Sequence, residues 1–177
     1  MKIAITGHSA GIGQALAKCY ADRGHESVGL SKRNGFNIKV LPRVVDAIEP
    51  CDVFINNAQV GFAQTELLFE IHKRWTNTGK TIINISTMMT QDPTSVLPGM
   101  DQYRVQKLAL EESVKQLRLK ANSPRLIIVR PGNIATSLDK TVPPAADVDN
   151  WAGVLVHILE MVEANRLYIP DISLGPA

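Results

Sequence analysis

The sequence is sparing in the residues that mark several specialised protein classes. It holds only two cysteines in 177 residues, Cys19 and Cys51, without CxxC spacing. That excludes a disulfide scaffold or a cysteine metal knot, and both read as small buried hydrophobes in a reduced, cytoplasmic protein. His8, His25, His72 and His157 lack metal-ligand spacing, so surface or satisfied histidines are expected and no metal site. No apolar run approaches the ~18 residues of a membrane span. The first strand-like run begins at Lys2, which predicts no signal peptide. Lys and Arg number 19 against 17 for Asp and Glu, a net charge of +2. That balance is too even to mark a nucleic-acid or membrane-surface binder. There is no repeat or linker, and the loosest stretch is 141–149, around Pro143-Pro144.

What remains is an ordinary globular composition, 45% hydrophobic and 20% charged, which excludes disorder. At roughly 150 residues per domain the chain reads as one domain, 1–177. Strand-like runs fall at 2–6, 27–30, 52–56, 81–86, 125–130 and 167–169, the last stopped by Pro170. Between them, helical spacing appears at 12–20 (ending at Gly24), from Pro42 to Pro50, at 66–75, at 103–120 and at 148–164. On the 103–120 helix the apolar positions are 105, 108, 109, 114 and 117. This alternation predicts an α/β fold: a doubly wound, Rossmann-like parallel sheet of about six strands in a three-layer α/β/α sandwich.

Two local patterns carry chemistry. Thr6-Gly7-His8-Ser9-Ala10-Gly11-Ile12-Gly13 joins the first strand to the first helix. Its glycines permit a tight turn and close backbone approach, and the helix N-terminus offers free N–H groups to a pyrophosphate. Tyr103 and Lys107 are four residues apart, on one helix face. A neighbouring ammonium favours the phenolate, which suits a tyrosine to acid–base work near neutral pH.

Together with Asn56-Asn57-Ala58, Ile83-Asn84-Ile85-Ser86-Thr87 and Pro131-Gly132-Asn133-Ile134-Ala135-Thr136, these patterns resemble the short-chain dehydrogenase/reductase family. Counting Ile83–Thr87 and Tyr103–Lys107 as one motif, four motifs occur in its order over residues 6–136. The resemblance implies carbonyl–alcohol interconversion by hydride transfer on a small-molecule substrate. Tyr103 would be the general acid/base, assisted by Lys107, with a hydroxyl from Thr87 or Ser86; Thr87 is favoured, and Thr90 is a third candidate by its place in the longer segment before Tyr103. The cofactor would lie on Gly7, His8, Ser9, Gly11, Ile12 and Gly13, beside Asn57 and Ala58, and against Tyr103, Lys107, Pro131, Gly132, Ile134 and Thr136. Ser31-Lys32-Arg33 ends the second strand without a carboxylate. Two cations there suit a 2′-phosphate, so NADP(H) is favoured over NAD(H). The helices at 66–75 and 103–120 carry apolar residues beyond one stripe, and by resemblance a homodimer or homotetramer is expected.

The sequence departs from the family pattern in five places, the first being Thr87, which stands where the family usually has its catalytic serine. Gln59 replaces the glycine after Asn-Asn-Ala, which crowds the backbone near the ribose or replaces a residue with positive φ. Residues 34–37 are too few for a crossover helix and a strand, so the usual third strand is expected to be reduced or lost, with Asn37-Ile38 as an adenine-contacting turn. The helix at 66–75 carries no asparagine. The substrate lid, 137–150, is short. These departures keep open a second reading, an NADP(H)-binding regulatory protein without turnover.

Overall fold

The computed structural model describes residues 1–92, 98–136 and 145–176. Its elements run β1 (Lys2–Thr6), α1 (Gly11–Asp22), β2 (Glu26–Leu30), α2 (Leu41–Ile48), β3 (Val53–Asn56), α3 (Ala63–Trp75), β4 (Thr81–Ile85), α4 (Asp101–Arg118), β5 (Arg125–Pro131), β6 (Ile134–Ala135), β7 (Ala146–Asp147), α5 (Val148–Ala164) and β8 (Asp171–Leu174). Six strands form one parallel sheet in the order β2-β1-β3-β4-β5-β8, and β6 pairs with β7 apart from it. The strands are short runs of Ile, Val, Phe and Leu. Their alternate residues enter two separate cores, as a sheet buried on both faces requires.

On one face Phe54, Ile82, Leu126 and Ile128 meet α2, α3 and α4 through Val44, Ile48, Leu67, Leu68, Ile71, Leu110 and Val114. On the other face Ile3, Ile5, Ile55, Ile83 and Val129 meet α1 and α5 through Leu16, Tyr20, Trp151, Leu155 and Val156. Trp75 and Trp151 are both buried packing residues. The steps β3 to β4, β4 to β5 and β5 to β8 run the same way across the sheet. Because α5 nevertheless lies on the α1 face, the last crossover has the opposite hand to the nearly universal right-handed one. Thr136 packs against Gly11 at the start of α1, so the chain has already reached that face before α5 begins.

The third strand is absent, as expected. Between β2 and α2 the chain makes a 3₁₀ turn at Lys32–Asn34, with Gly35 at φ 84°, which leaves β2 at the sheet edge. Two expectations need correction, the place of the last strand and the burial of Cys19. The last strand is Asp171–Leu174, not 167–169. Pro170 precedes it instead of stopping the chain, because a missing N–H costs nothing ahead of an edge strand; its carbonyl accepts from Ile128 N at 2.9 Å. On α4 the buried stripe is Lys107, Leu110, Glu111, Val114 and Leu117, while Val105 and Leu108 face outward. Cys51 is buried but Cys19 is only partly so, since its thiol meets the Arg23 guanidinium near the surface.

Candidate active site

The glycine turn sits at the carboxyl end of β1, the sheet's central switch point, where open α/β sheets place ligands. Gly7 adopts φ 71°, and a Cβ at Gly13 would lie 2.3 Å from the Gly7 carbonyl oxygen. The turn closes only with glycines there. Asn57 braces it: Nδ2 donates to the Thr6 carbonyl at 2.9 Å. The backbone N–H groups of Asn57 and Ala58 donate to the Thr6 hydroxyl at 3.0 and 3.1 Å. α1 begins at Gly11 without a side-chain cap and without an acidic residue in its first turn. Its leading N–H groups are therefore free to meet an anion.

A cavity of about 280 Å³ opens beside this turn, lined by Gly7, Ser9, Leu30, Ser31, Lys32, Phe36, Ile38, Ala58 and Val60. The Arg33 guanidinium reaches the Ser9 carbonyl at 3.4 Å, and Ser31 Oγ donates to Asn34 Oδ1 at 3.2 Å. Asn37 lies outside the lining. Its Oδ1 accepts from Lys39 N–H at 3.1 Å, and Phe36 and Ile38 occupy the cavity wall instead. His8 is neither a surface nor a satisfied histidine. Its ring packs on Gly29, where any Cβ would collide with it, and its Nδ1 is buried without a partner. Gln59 does not adopt positive φ; Gly61 does, at 56°. The Gln59 side chain bonds Gln106 of α4. A second cavity, of about 260 Å³, lies at the opposite end of the strands, between Ile83, Ile127 and Leu159.

At the ends of β4 and β5 the polar side chains converge. The Glu111 carboxylate is buried and accepts from Ser86 Oγ at 2.5 Å and Thr90 Oγ1 at 2.7 Å. It also accepts from Arg130 Nε at 3.0 Å and Nη2 at 2.7 Å. Arg130 Nη1 lies 3.0 Å from Asp171. Burial acts to raise the Glu111 pKa, but hydrogen bonds from Arg130, Ser86 and Thr90 outweigh it and hold the carboxyl below its ordinary range. Ser86 and Thr90 are thus committed to Glu111, and the hydroxyl that reaches the Tyr103 phenol is Thr87.

Tyr103 does not show the lowered pKa its spacing from Lys107 suggests. Burial raises it, opposed by the Thr87 hydrogen bond. The reason is the direction of Lys107. Its Nζ lies 5.5 Å from the Tyr103 ring centroid and bonds the Ile85 carbonyl at 2.7 Å and Gln64 Oε1 at 2.8 Å. Desolvation lowers the Lys107 pKa to about 7, with Glu111 opposing. Pro131 ends β5, and Gly132 N–H donates to the Leu174 carbonyl at 3.0 Å. Beyond them Ile134 pairs in β6, and Thr136 touches Gly11. The Pro131–Thr136 segment therefore spans from Met88, just beyond β4, to the glycine turn. Most of the expected lid, 137–144, lies outside the described residues.

Gln64, Glu111 and Arg130 were not singled out from sequence. Glu111 had one visible signal, its place four residues after Lys107 on the same helix. Gln64 and Arg130 had none, since the groups that give them their place, Ile85 and Lys107 for one and Glu111 and Asp171 for the other, lie on other elements of the fold. Among the described residues no cluster of His, Cys, Asp or Glu could hold a metal, and no helix is long and apolar enough to cross a membrane.

No protein-family model matches the sequence, and no curated protein matches it. Solved structures do. An alcohol dehydrogenase from the archaeon Thermococcus sibiricus, complexed with 5-hydroxy-NADP, superposes with TM-score 0.75 at 16% identity, covering 98% of this chain and 95% of that one. A short-chain dehydrogenase from Burkholderia cenocepacia in complex with NADP gives TM-score 0.76 at 18% identity over 99% and 88%. One from Sphingobium yanoikuyae in complex with NADPH gives 0.68 at 21% identity over 96% and 87%. The chain has the Rossmann-like fold of short-chain dehydrogenases.

Proposed function

We propose that the chain is an NADP(H)-dependent oxidoreductase of the short-chain dehydrogenase/reductase type, interconverting a carbonyl and an alcohol on a small molecule. The observation that carries this reading is the convergence of Tyr103, Thr87 and Lys107 at the carboxyl end of the sheet that also carries the glycine turn and its cavity. The residues present fit a dinucleotide. The uncapped start of α1 and the Gly7–Gly13 cradle suit a pyrophosphate, the cavity from Leu30 to Val60 suits an adenosine, and Lys32 and Arg33 suit a 2′-phosphate.

A bound nicotinamide supplies or accepts the hydride. The chain's own residues handle the proton. Burial keeps the Tyr103 phenol protonated at neutral pH, the state an acid needs to protonate a carbonyl oxygen undergoing reduction. Thr87, with Ser86 and Thr90 tied to Glu111, holds a hydroxyl beside that phenol for the same oxygen. Lys107 places an amine with pKa near 7 behind it, able to carry a proton or a charge at working pH. Turnover is tested by NADPH oxidation with a panel of aldehydes and ketones. Tyr103→Phe should abolish it while leaving NADPH binding intact; unchanged turnover in that variant would sink the mechanism.

Phe62, Phe69, Val105 and Leu108 form exposed apolar positions on or beside α3 and α4, which supports a homodimer or homotetramer built on those helices. Val105→Glu should lower the mass seen by light scattering; an unchanged mass refutes that surface.

A further inference from the structure

Gln64 is the second residue of α3 and lies almost wholly out of solvent, at 2% exposure. A glutamine in a first helical turn can turn outward to water, yet this one reaches inward across the ends of β3 and β4. Its Nε2 donates to the Asn56 carbonyl at 2.6 Å and the Ile85 carbonyl at 3.1 Å. Both donors are used, which fixes the amide orientation and aims Oε1 at Lys107 Nζ, 2.8 Å away. Asn56 secures the same residue from below, donating to the Gln64 carbonyl at 2.9 Å. The Ile85 carbonyl accepts from both Gln64 and Lys107, so the three groups form one closed network.

The count of protons gives this network a consequence. A neutral amine has two N–H donors, and Gln64 Oε1 with the Ile85 carbonyl accepts two. An ammonium has a third, which neither of these acceptors takes. The titratable and charged groups facing Lys107 are Glu111 one turn later on α4, with Arg130 of β5 paired to it, and Tyr103 one turn earlier. From β4 and α3 its hydrogen-bond partners are neutral, the Ile85 carbonyl and Gln64 Oε1. Gln64, its amide held rigid by two carbonyls, nevertheless points the oxygen end of its dipole at Nζ and so joins Glu111 in favouring a proton there against burial.

We propose that Gln64 is a positioning residue that fixes the direction of the Lys107 amine and sets the pH at which it titrates. The proposal deepens the oxidoreductase reading in its effect on turnover but does not depend on it for its effect on titration. A glutamine that only satisfied two strand-end carbonyls would leave Lys107 titration where it is.

The test is heteronuclear NMR of the protein labelled in lysine, following the Lys107 side chain against pH in wild type and Gln64→Met. Loss of the acceptor should lower the Lys107 midpoint by about one pH unit, the worth of one hydrogen bond to a charged group. Gln64→Glu, which places a carboxylate at the same distance, should raise it by about one to three units. An unchanged midpoint in folded Gln64→Met overturns the proposal. If that variant does not fold, Gln64→Glu decides: a rise supports the role and no rise overturns it. Under the oxidoreductase reading, kcat in Gln64→Met should fall about tenfold at pH 7 with NADPH affinity unchanged. Absence of turnover in the wild-type protein would instead defeat the functional reading, while the NMR midpoints would still decide the role of Gln64.

Discussion

Replacement of Glu111 by alanine tests the buried network that selects Thr87. The carboxylate accepts from Ser86, Thr90 and two nitrogens of Arg130, and the Arg130 side chain is only 9% exposed. Removing one partner of a buried ion pair leaves an uncompensated charge and costs about 3–5 kcal/mol. Arg130 keeps Asp171 at 3.0 Å, which places the loss near the lower end, about 3 kcal/mol. In a domain of this size each kcal/mol moves Tm by about 2–4 °C, so the melt should fall by roughly 6–12 °C in calorimetry, with a matching shift in urea midpoint. Glu111→Leu with Arg130→Met removes both charges and should recover most of that loss. Acid stability gives a second reading of the same group. The folded carboxyl titrates below its unfolded value of about 4.3, so its contribution is present above that pH and is lost as pH falls through the folded pKa. Glu111→Gln should therefore lose stability less steeply than wild type in urea melts below about pH 4. A melting change under 2 °C in Glu111→Ala, or a double variant as unstable as the summed singles, would refute the reasoning.

Lys32→Ala and Arg33→Ala should each weaken NADPH binding about tenfold, the worth of one exposed charge-assisted contact, and leave NADH binding unchanged in fluorescence titrations. Equal weakening of both cofactors would remove the basis for NADP(H) preference. Lys107→Met should raise stability below pH 7 while ending turnover. The folded amine titrates near 7 against 10.5 unfolded, so between those values the unfolded chain holds more protons and wild-type stability climbs with pH. The full difference is roughly 5 kcal/mol as an upper bound, reduced by the unpaired Gln64 and Ile85 oxygens that methionine leaves. Urea melts at pH 6, 8 and 10 should show a gain at pH 6 that is gone by pH 10, and no gain at pH 6 would contradict the burial argument.

Much of this molecule was readable along the chain because the signals are local. The strand and helix alternation, the Gly24 stop after α1, the loss of a third strand between Leu30 and Pro42 and the missing asparagine in α3 each depend on a few adjacent residues. The glycine turn and the Tyr103–Lys107 spacing belong to the same class. Pro170 misled because proline ends a strand or precedes one according to which neighbour needs the N–H, and that neighbour is β5, some forty residues earlier.

The amino-acid sequence by itself thus determined the layered α/β architecture and the positions of the glycine turn and the Tyr103–Lys107 pair, since short-range sterics and spacing specify both. Only the tertiary structure decided which hydroxyl lies against Tyr103, where the Lys107 amine points, and on which face α5 lies. Those depend on Glu111 meeting Arg130, on Gln64 crossing from β3 to β4, and on Thr136 reaching Gly11. Such contacts pair residues far apart in the chain, and burial makes them strong only once the whole sheet has closed around them.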